Sequence, residues 1–107
     1  TRHTGPILSP FNAWVVLKSL ETLDLRVRRA CETAQTVAEA LESRTRLLYP
    51  GLASHPQHAL ACAQMSAGGT IIALHLDGGR AQAHALLDAL QLIDISNNLG
   101  DSRTLMT

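Results

Sequence analysis

The sequence predicts an α+β fold in which a long helix runs into a small sandwich of helices and strands, and two observations carry that expectation. Apolar residues recur at helical spacing from Phe11 to Leu41, and from Thr45 onward short alternating runs are interleaved with helical ones, each closed by Gly, Pro, Asn or Asp turn chemistry. Such an order builds a small sheet with helices on one face. Residues 1–43 are assigned to a lead-in and long helix, and residues 44–107 to the α+β unit.

Taken in order, Thr1 to Leu8 contain Gly5 and Pro6 and no periodicity, which predicts an extended lead-in. Ser9-Pro10 sets an N-cap residue before a proline at the first helical position, where the missing N–H costs nothing. From Phe11 to Leu23 apolar side chains occupy nearly every face, which predicts burial against more than one surface. Val27, Ala30, Cys31, Ala34, Val37, Ala38 and Leu41 then form one apolar stripe. Arg26, Arg28 and Arg29 at the start of a separate second helix would oppose its dipole, which argues for one continuous or mildly kinked helix. Thr45 to Leu48 predicts a strand and Tyr49-Pro50-Gly51 a turn. Ser54 is placed to cap a helix from about His55 to Met65, ended by Gly68-Gly69. Thr70 to Leu76 alternates with Ile72, Leu74 and Leu76 on one side, Arg80 to Leu90 is helical through Ala83, Leu86, Leu87 and Leu90, and strands follow at Leu92 to Ser96 and around Arg103 to Met106.

The 107 residues are 46% hydrophobic and 17% charged, enough apolar material for one modest core. Nine basic and nine acidic residues cancel, and Phe11, Trp14 and Tyr49 are the only aromatics, a balance that argues against a nucleic-acid partner. Cys31 and Cys62 have no CxxC spacing and read as small buried hydrophobes. The longest apolar run, Ala13 to Leu17, is far shorter than the ~20 residues of a membrane span, and no secretory signal is present, so a cytoplasmic location is expected.

His55 and His58 at a helix start offer two imidazoles but no third ligand, so a solvated helix start is preferred to a metal site. His75 is expected to face solvent or a partner. Gly68-Gly69 and Gly78-Gly79 fit strand-end turns better than phosphate cradles. Lys18, the only lysine, lies in the apolar helix, where a snorkelling amine is preferred to a Schiff-base role. The tail from Ser96 to Arg103 is the most polar patch beside a strand end, suited either to ligand binding or to ordinary turn formation.

Several separated segments then coincide. Thr4-Gly5-Pro6-Ile7-Leu8-Ser9-Pro10-Phe11-Asn12-Ala13-Trp14, Leu20-Glu21-Thr22-Leu23-Asp24-Leu25-Arg26, Tyr49-Pro50-Gly51-Leu52 and Asn98-Leu99-Gly100-Asp101-Ser102-Arg103-Thr104-Leu105 resemble, in type and order, the C-terminal third of the Cys/Met-metabolism (transsulfuration) enzymes that use pyridoxal 5'-phosphate (PLP). The resemblance covers nearly the whole chain. It implies the type I aminotransferase-like fold, with residues 1–43 as lead-in and linking helix and 44–107 as part of the small C-terminal α/β sandwich domain.

The same resemblance implies that the cofactor is held by residues upstream of Thr1, the Schiff-base lysine among them, and that Lys18 does not take that role. Asn98 stands where the family's Ser-Leu-Gly motif has the serine that helps hold the substrate α-carboxylate, and Gly100 matches its glycine. Asn97 stands where cystathionine-handling relatives often carry a glutamate, and being uncharged it favours a sulfhydrylase joining sulfide to an activated homoserine. The activity implied for the longer protein is conversion of O-succinylhomoserine and sulfide to homocysteine, with an O-acetylhomoserine sulfhydrylase or cystathionine γ-synthase as alternatives and a homotetramer as the assembly. The chain itself, beginning at Thr1 and stopping at Thr107, reads as a catalytically inactive fragment. A small ligand-binding or dimerisation module is the non-enzymatic alternative, and the apolar helix from Phe11 to Leu23 discriminates, since a module would cover it with its own fold or its dimer partner and a piece of an enzyme would expose it.

Overall fold

The structure is a computed structural model that describes Gly5 and residues 7–107, so most of the expected extended lead-in lies outside the described residues. Helix α1 (Pro10–Leu20) begins as its sequence dictates: Ser9 is extended, its Oγ accepts from the Asn12 backbone N–H at 3.2 Å, and Pro10 occupies the first turn. Its large side chains stay in the open, with Phe11 68% and Trp14 56% exposed. The described residues of this chain thus leave α1 uncovered. Phe11 and Trp14 lie near each other, ring centroids 6.1 Å apart.

Helix α2 (Leu23–Glu42) is a separate helix, which corrects the expectation of a single continuous or mildly kinked one. The chain breaks at Glu21-Thr22, and Arg26 explains how the break is supported. Its Nη2 donates to the Ser19 carbonyl at 2.7 Å and its Nε to Thr22 Oγ1 at 3.2 Å, so the cation sits at the negative end of α1 and satisfies a carbonyl left free there. The unfavourable position on α2 is offset by a favourable one on α1. Asp24 in the first turn adds to this, holding Arg28 through Nε at 2.9 and 3.0 Å and raising its pKa above the ordinary arginine value.

Strand β1 (Leu47–Leu48) pairs antiparallel with β2 (Ala73–Leu74), Leu47 opposite Leu74 and Leu48 opposite Ala73. Helix α3 (His58–Gln64) lies between them in sequence, α4 (Gly79–Asp88) follows β2, and β3 (Asp94–Ile95) pairs parallel with β4 (Leu105–Met106). The strands thus form two separate two-stranded ladders rather than the single small sheet expected from the alternation, because β1 and β2 pair only with each other and β3 finds its partner in β4. The period-two pattern itself is present: Ile72, Leu74 and Leu76 are half-buried while Ile71, Ala73 and His75 are exposed. Ala83, Leu86 and Leu87 form the half-buried stripe of α4, which ends at Asp88, so Leu90, also half-buried, lies beyond the helix expected to include it.

The helix expected from His55 starts three residues later and without a side-chain cap. Ser54 does not cap it, because its hydroxyl is bonded to the Glu42 carboxylate at the end of α2. Residues 49–58 instead descend through successive i to i+3 turns, Leu52 N to Tyr49 O, His55 N to Leu52 O and His58 N to His55 O, each at 3.0 Å.

The core is small and centres on Tyr49. Ala34 and Ala38 of α2 give it a low floor, Leu52 closes one side, and Leu47 and Ile72 pack around it. Tyr49 is 1% exposed, and its hydroxyl donates to the Gly69 carbonyl at 2.9 Å, with the Cys31 carbonyl at 3.4 Å. A Cβ on Gly68 would stand 2.6–2.7 Å from Gly51 backbone and from the Tyr49 ring, so the Gly-Gly pair is a turn shaped by close approach to this ring. The accessible surface is 8833 Å², against about 5,800 Å² for a folded monomer of 11.5 kDa. The radius of gyration of 17.8 Å likewise exceeds the roughly 13 Å of a 100-residue domain.

Candidate functional site

The polar segment singled out in the sequence becomes the connection between β3 and β4. The ladder fixes its two ends: Asp94 N donates to Thr104 O at 3.2 Å and Ser96 N to Met106 O at 3.1 Å. Between them the chain turns through Gly100 at φ +81°, a left-handed conformation that glycine adopts without strain, while space around it would admit a Cβ.

Asp101 organises the turn. Its Oδ1 accepts from the Arg103 backbone N–H at 3.0 Å and lies 3.5 Å from Arg103 Nε, and its Oδ2 accepts from Asn98 Nδ2 at 3.4 Å. These bonds to the ionised carboxylate, the Arg103 backbone N–H foremost, hold its pKa below the usual carboxylate range. Arg103 reaches on to Asp94 on β3, Nη1 to Oδ2 at 2.7 Å, which ties the far end of the loop to its beginning. Ser96 Oγ accepts from the Asn98 backbone N–H at 3.2 Å. Asn98 is thereby held on its backbone side by Ser96 and through one amide N–H by Asp101, and the second amide N–H is the donor that remains for another acceptor.

Of the three residues named from the sequence, Asn98 and Gly100 belong to this bonded turn, and Asn97 is an exposed neighbour with no side-chain hydrogen bond among the described residues. Asp101 and Arg103 were quoted in the motif without a role, yet they set the loop's shape. A carboxylate two residues before an arginine, followed by a strand, is the signal that would have found them.

Elsewhere the candidate groups are dispersed. Lys18 Nζ pairs with Glu21 at 2.9 Å on the exposed α1. His55 Nδ1 accepts from Gln57 N at 3.2 Å whereas His58 Nδ1 meets the Pro50 carbonyl at 2.9 Å, so the two rings serve different partners. His75 Nε2 lies 3.2 Å from Asp77, both at the surface. Cys31 is buried as expected; Cys62 is exposed, which corrects its reading as a buried hydrophobe, because the short α3 buries none of its residues and Cys62 borders an open hollow. Lys18, the only lysine in the sequence, is committed to the surface ion pair with Glu21. Among the described residues no helix is long and apolar enough to cross a membrane, and no group of three metal-ligating side chains occurs.

The mixed α/β arrangement is that of the fold-type I PLP enzymes: the solved O-acetylhomoserine sulfhydrylase of Wolinella succinogenes superposes with a TM-score of 0.87 at 34% identity, over 97% of this chain and 31% of that one. The family model for Cys/Met metabolism PLP-dependent enzymes matches residues 1–107. The chain belongs to the Cys/Met metabolism family. Among its relatives, the O-succinylhomoserine sulfhydrylase of Mycobacterium tuberculosis is 50% identical over 113 residues, 99% of this chain and 28% of that enzyme. The L-methionine gamma-lyase of Pseudomonas putida is 42% identical over 105 residues, 95% of this chain and 26% of that enzyme. The chain thus spans between a quarter and a third of the length of these relatives.

Proposed function

We propose that this chain is the linking-helix and C-terminal-domain portion, residues 1–43 and 44–107, of a PLP-dependent O-succinylhomoserine sulfhydrylase. The whole protein would make homocysteine from O-succinylhomoserine and sulfide, act in the cytoplasm and assemble as a homotetramer. The observation that carries this reading is the 50% identity across 99% of the chain with a relative of that name. The bare apolar surface of α1 and the excess of accessible area support it, since the remainder of a longer enzyme would cover them.

PLP supplies the electron sink when bound, and it would be held by residues outside this chain. What this chain brings is the loop between β3 and β4. Asn98, fixed by Ser96 and Asp101, offers an amide toward a substrate carboxylate, Gly100 allows the turn, and Asn97 adds no charge beside it. A second reading, an O-acetylhomoserine sulfhydrylase, is favoured by the 0.87 superposition on the Wolinella enzyme. The test is homocysteine formation by the full-length protein from sulfide with either the O-succinyl or the O-acetyl ester, alongside the visible absorbance of bound PLP. Preference for the succinyl ester sustains the first reading, preference for the acetyl ester replaces it with the second, and absorbance without either activity overturns both.

A further inference from the structure

We infer that Cys62 is a reactive thiol, paired with His58 as its base, that exchanges with small-molecule disulfides. The pair is built by α3: four residues apart, the two side chains share a face, and Sγ lies 3.5 Å from His58 Nε2, within hydrogen-bond reach for sulfur. The other ring nitrogen settles the tautomer. Nδ1 lies 2.9 Å from the Pro50 carbonyl, which can only accept, so Nδ1 carries the proton and Nε2 presents its lone pair to the thiol. A nucleophile beside a base that is itself oriented by a third group is the arrangement by which thiols are activated.

The pair opens onto a hollow of about 230 Å³ whose walls include Gln35, Gly51, Met65 and Gly68. Gly51 and Gly68 border it without side chains, and Cys62 is exposed whereas Cys31 is buried. In the exchange the Cys62 proton passes to His58 Nε2 and Sγ attacks one sulfur of the disulfide. A new S–S bond forms as the old one breaks, and the departing thiolate recovers the proton from His58. Electrons and protons balance with no other reactant.

The experiment treats the folded full-length protein at neutral pH with 5,5'-dithiobis(2-nitrobenzoate), following thiolate release and locating adducts by peptide mass. Cys62 is expected to react roughly 10-fold or more faster than free N-acetylcysteine, and Cys31 only after denaturation. In His58→Asn the amide can still donate to the Pro50 carbonyl while nothing replaces Nε2, so the Cys62 rate should fall roughly 10-fold with the thermal midpoint kept. Failure of Cys62 to react in the native protein, or reaction no faster than the free thiol, overturns the proposal whatever the variant does. An unchanged rate in a folded His58→Asn overturns the role of the base.

Discussion

The knot around Tyr49 and the loop between β3 and β4 are both turns that follow a short strand, and they are held by opposite means. The knot is made by exclusion: a ring 1% exposed, two alanines beneath it, and two glycines that leave no room for a Cβ. The loop is made by charge and hydrogen bonds at the surface, where water competes for every partner. The loop relies on the ladder at its ends, which suits the substrate-binding role proposed for it, while the knot anchors α2 to the β1–β2 pair. Substitutions should therefore cost stability in the first region and function in the second.

The largest effect is expected from Tyr49→Ala, which empties the centre of the core and should destabilise the full-length protein by about 3–5 kcal/mol in chemical denaturation. Tyr49→Phe separates the ring from its hydroxyl: it leaves the Gly69 carbonyl without that donor and should cost about 1–2 kcal/mol. Equal losses in the two variants would break the view that volume dominates there. Gly68→Ala comes next, at roughly 1–3 kcal/mol, because the new methyl meets Gly51 backbone, which cannot swing aside as a side chain could.

Proton linkage separates the regions without mutation. Burial raises the Tyr49 pKa above its ordinary value of about 10, with the nearby Cys31 and Glu39 adding to it. A group whose folded pKa is raised contributes stability that is complete below the unfolded value and is lost as pH rises through the folded one, so the knot should weaken above about pH 10. Asp101 runs the other way. Its folded pKa is depressed, so its contribution is present above the ordinary value of about 3.8 and disappears as pH falls through the lower folded value. Near-ultraviolet circular dichroism of Tyr49 on the alkaline side, and amide hydrogen exchange of residues 96–103 on the acid side, should report the two losses separately.

Much of this contrast was legible in the residues. Ser9-Pro10 specified the start of α1, and the alternation through Ile72, Leu74 and Leu76 specified which side of that segment is covered, because capping and period-two burial are local properties. Both Arg26 and Ser54 misled for the same reason: each side chain bonds to a different helix from the one its position suggested, Arg26 to the end of α1 and Ser54 to Glu42 of α2. Strand pairing was also beyond local pattern, since the segment from Thr70 to Leu76 carries no mark of whether it meets one neighbour or two. The loop residues Asn98 and Gly100 came from a motif match, whereas Asp101 and Arg103 emerged only once the distances among them were known.

The smallest change in stability, and the most informative change in function, is expected from Asn98. Asn98→Ala removes one exposed hydrogen bond to Asp101 and should shift stability by only about 0.5 kcal/mol, as for most surface substitutions. If its amide holds the substrate carboxylate, the full-length enzyme should nevertheless lose roughly 10-fold or more in kcat/KM, since a bond to a charged group contributes about 1.5–3 kcal/mol. Asn98→Ser, which restores a hydroxyl, should recover much of that loss. Asp101→Asn sharpens the comparison: it leaves Asn98 in place but weakens the grip of Arg103, so it should raise KM by less than Asn98→Ala while removing the acid-side exchange transition of the loop. An Asn98→Ala enzyme with unaltered kcat/KM would make the loop a structural turn like the knot, and the division between a packed region for stability and a bonded region for binding would fall.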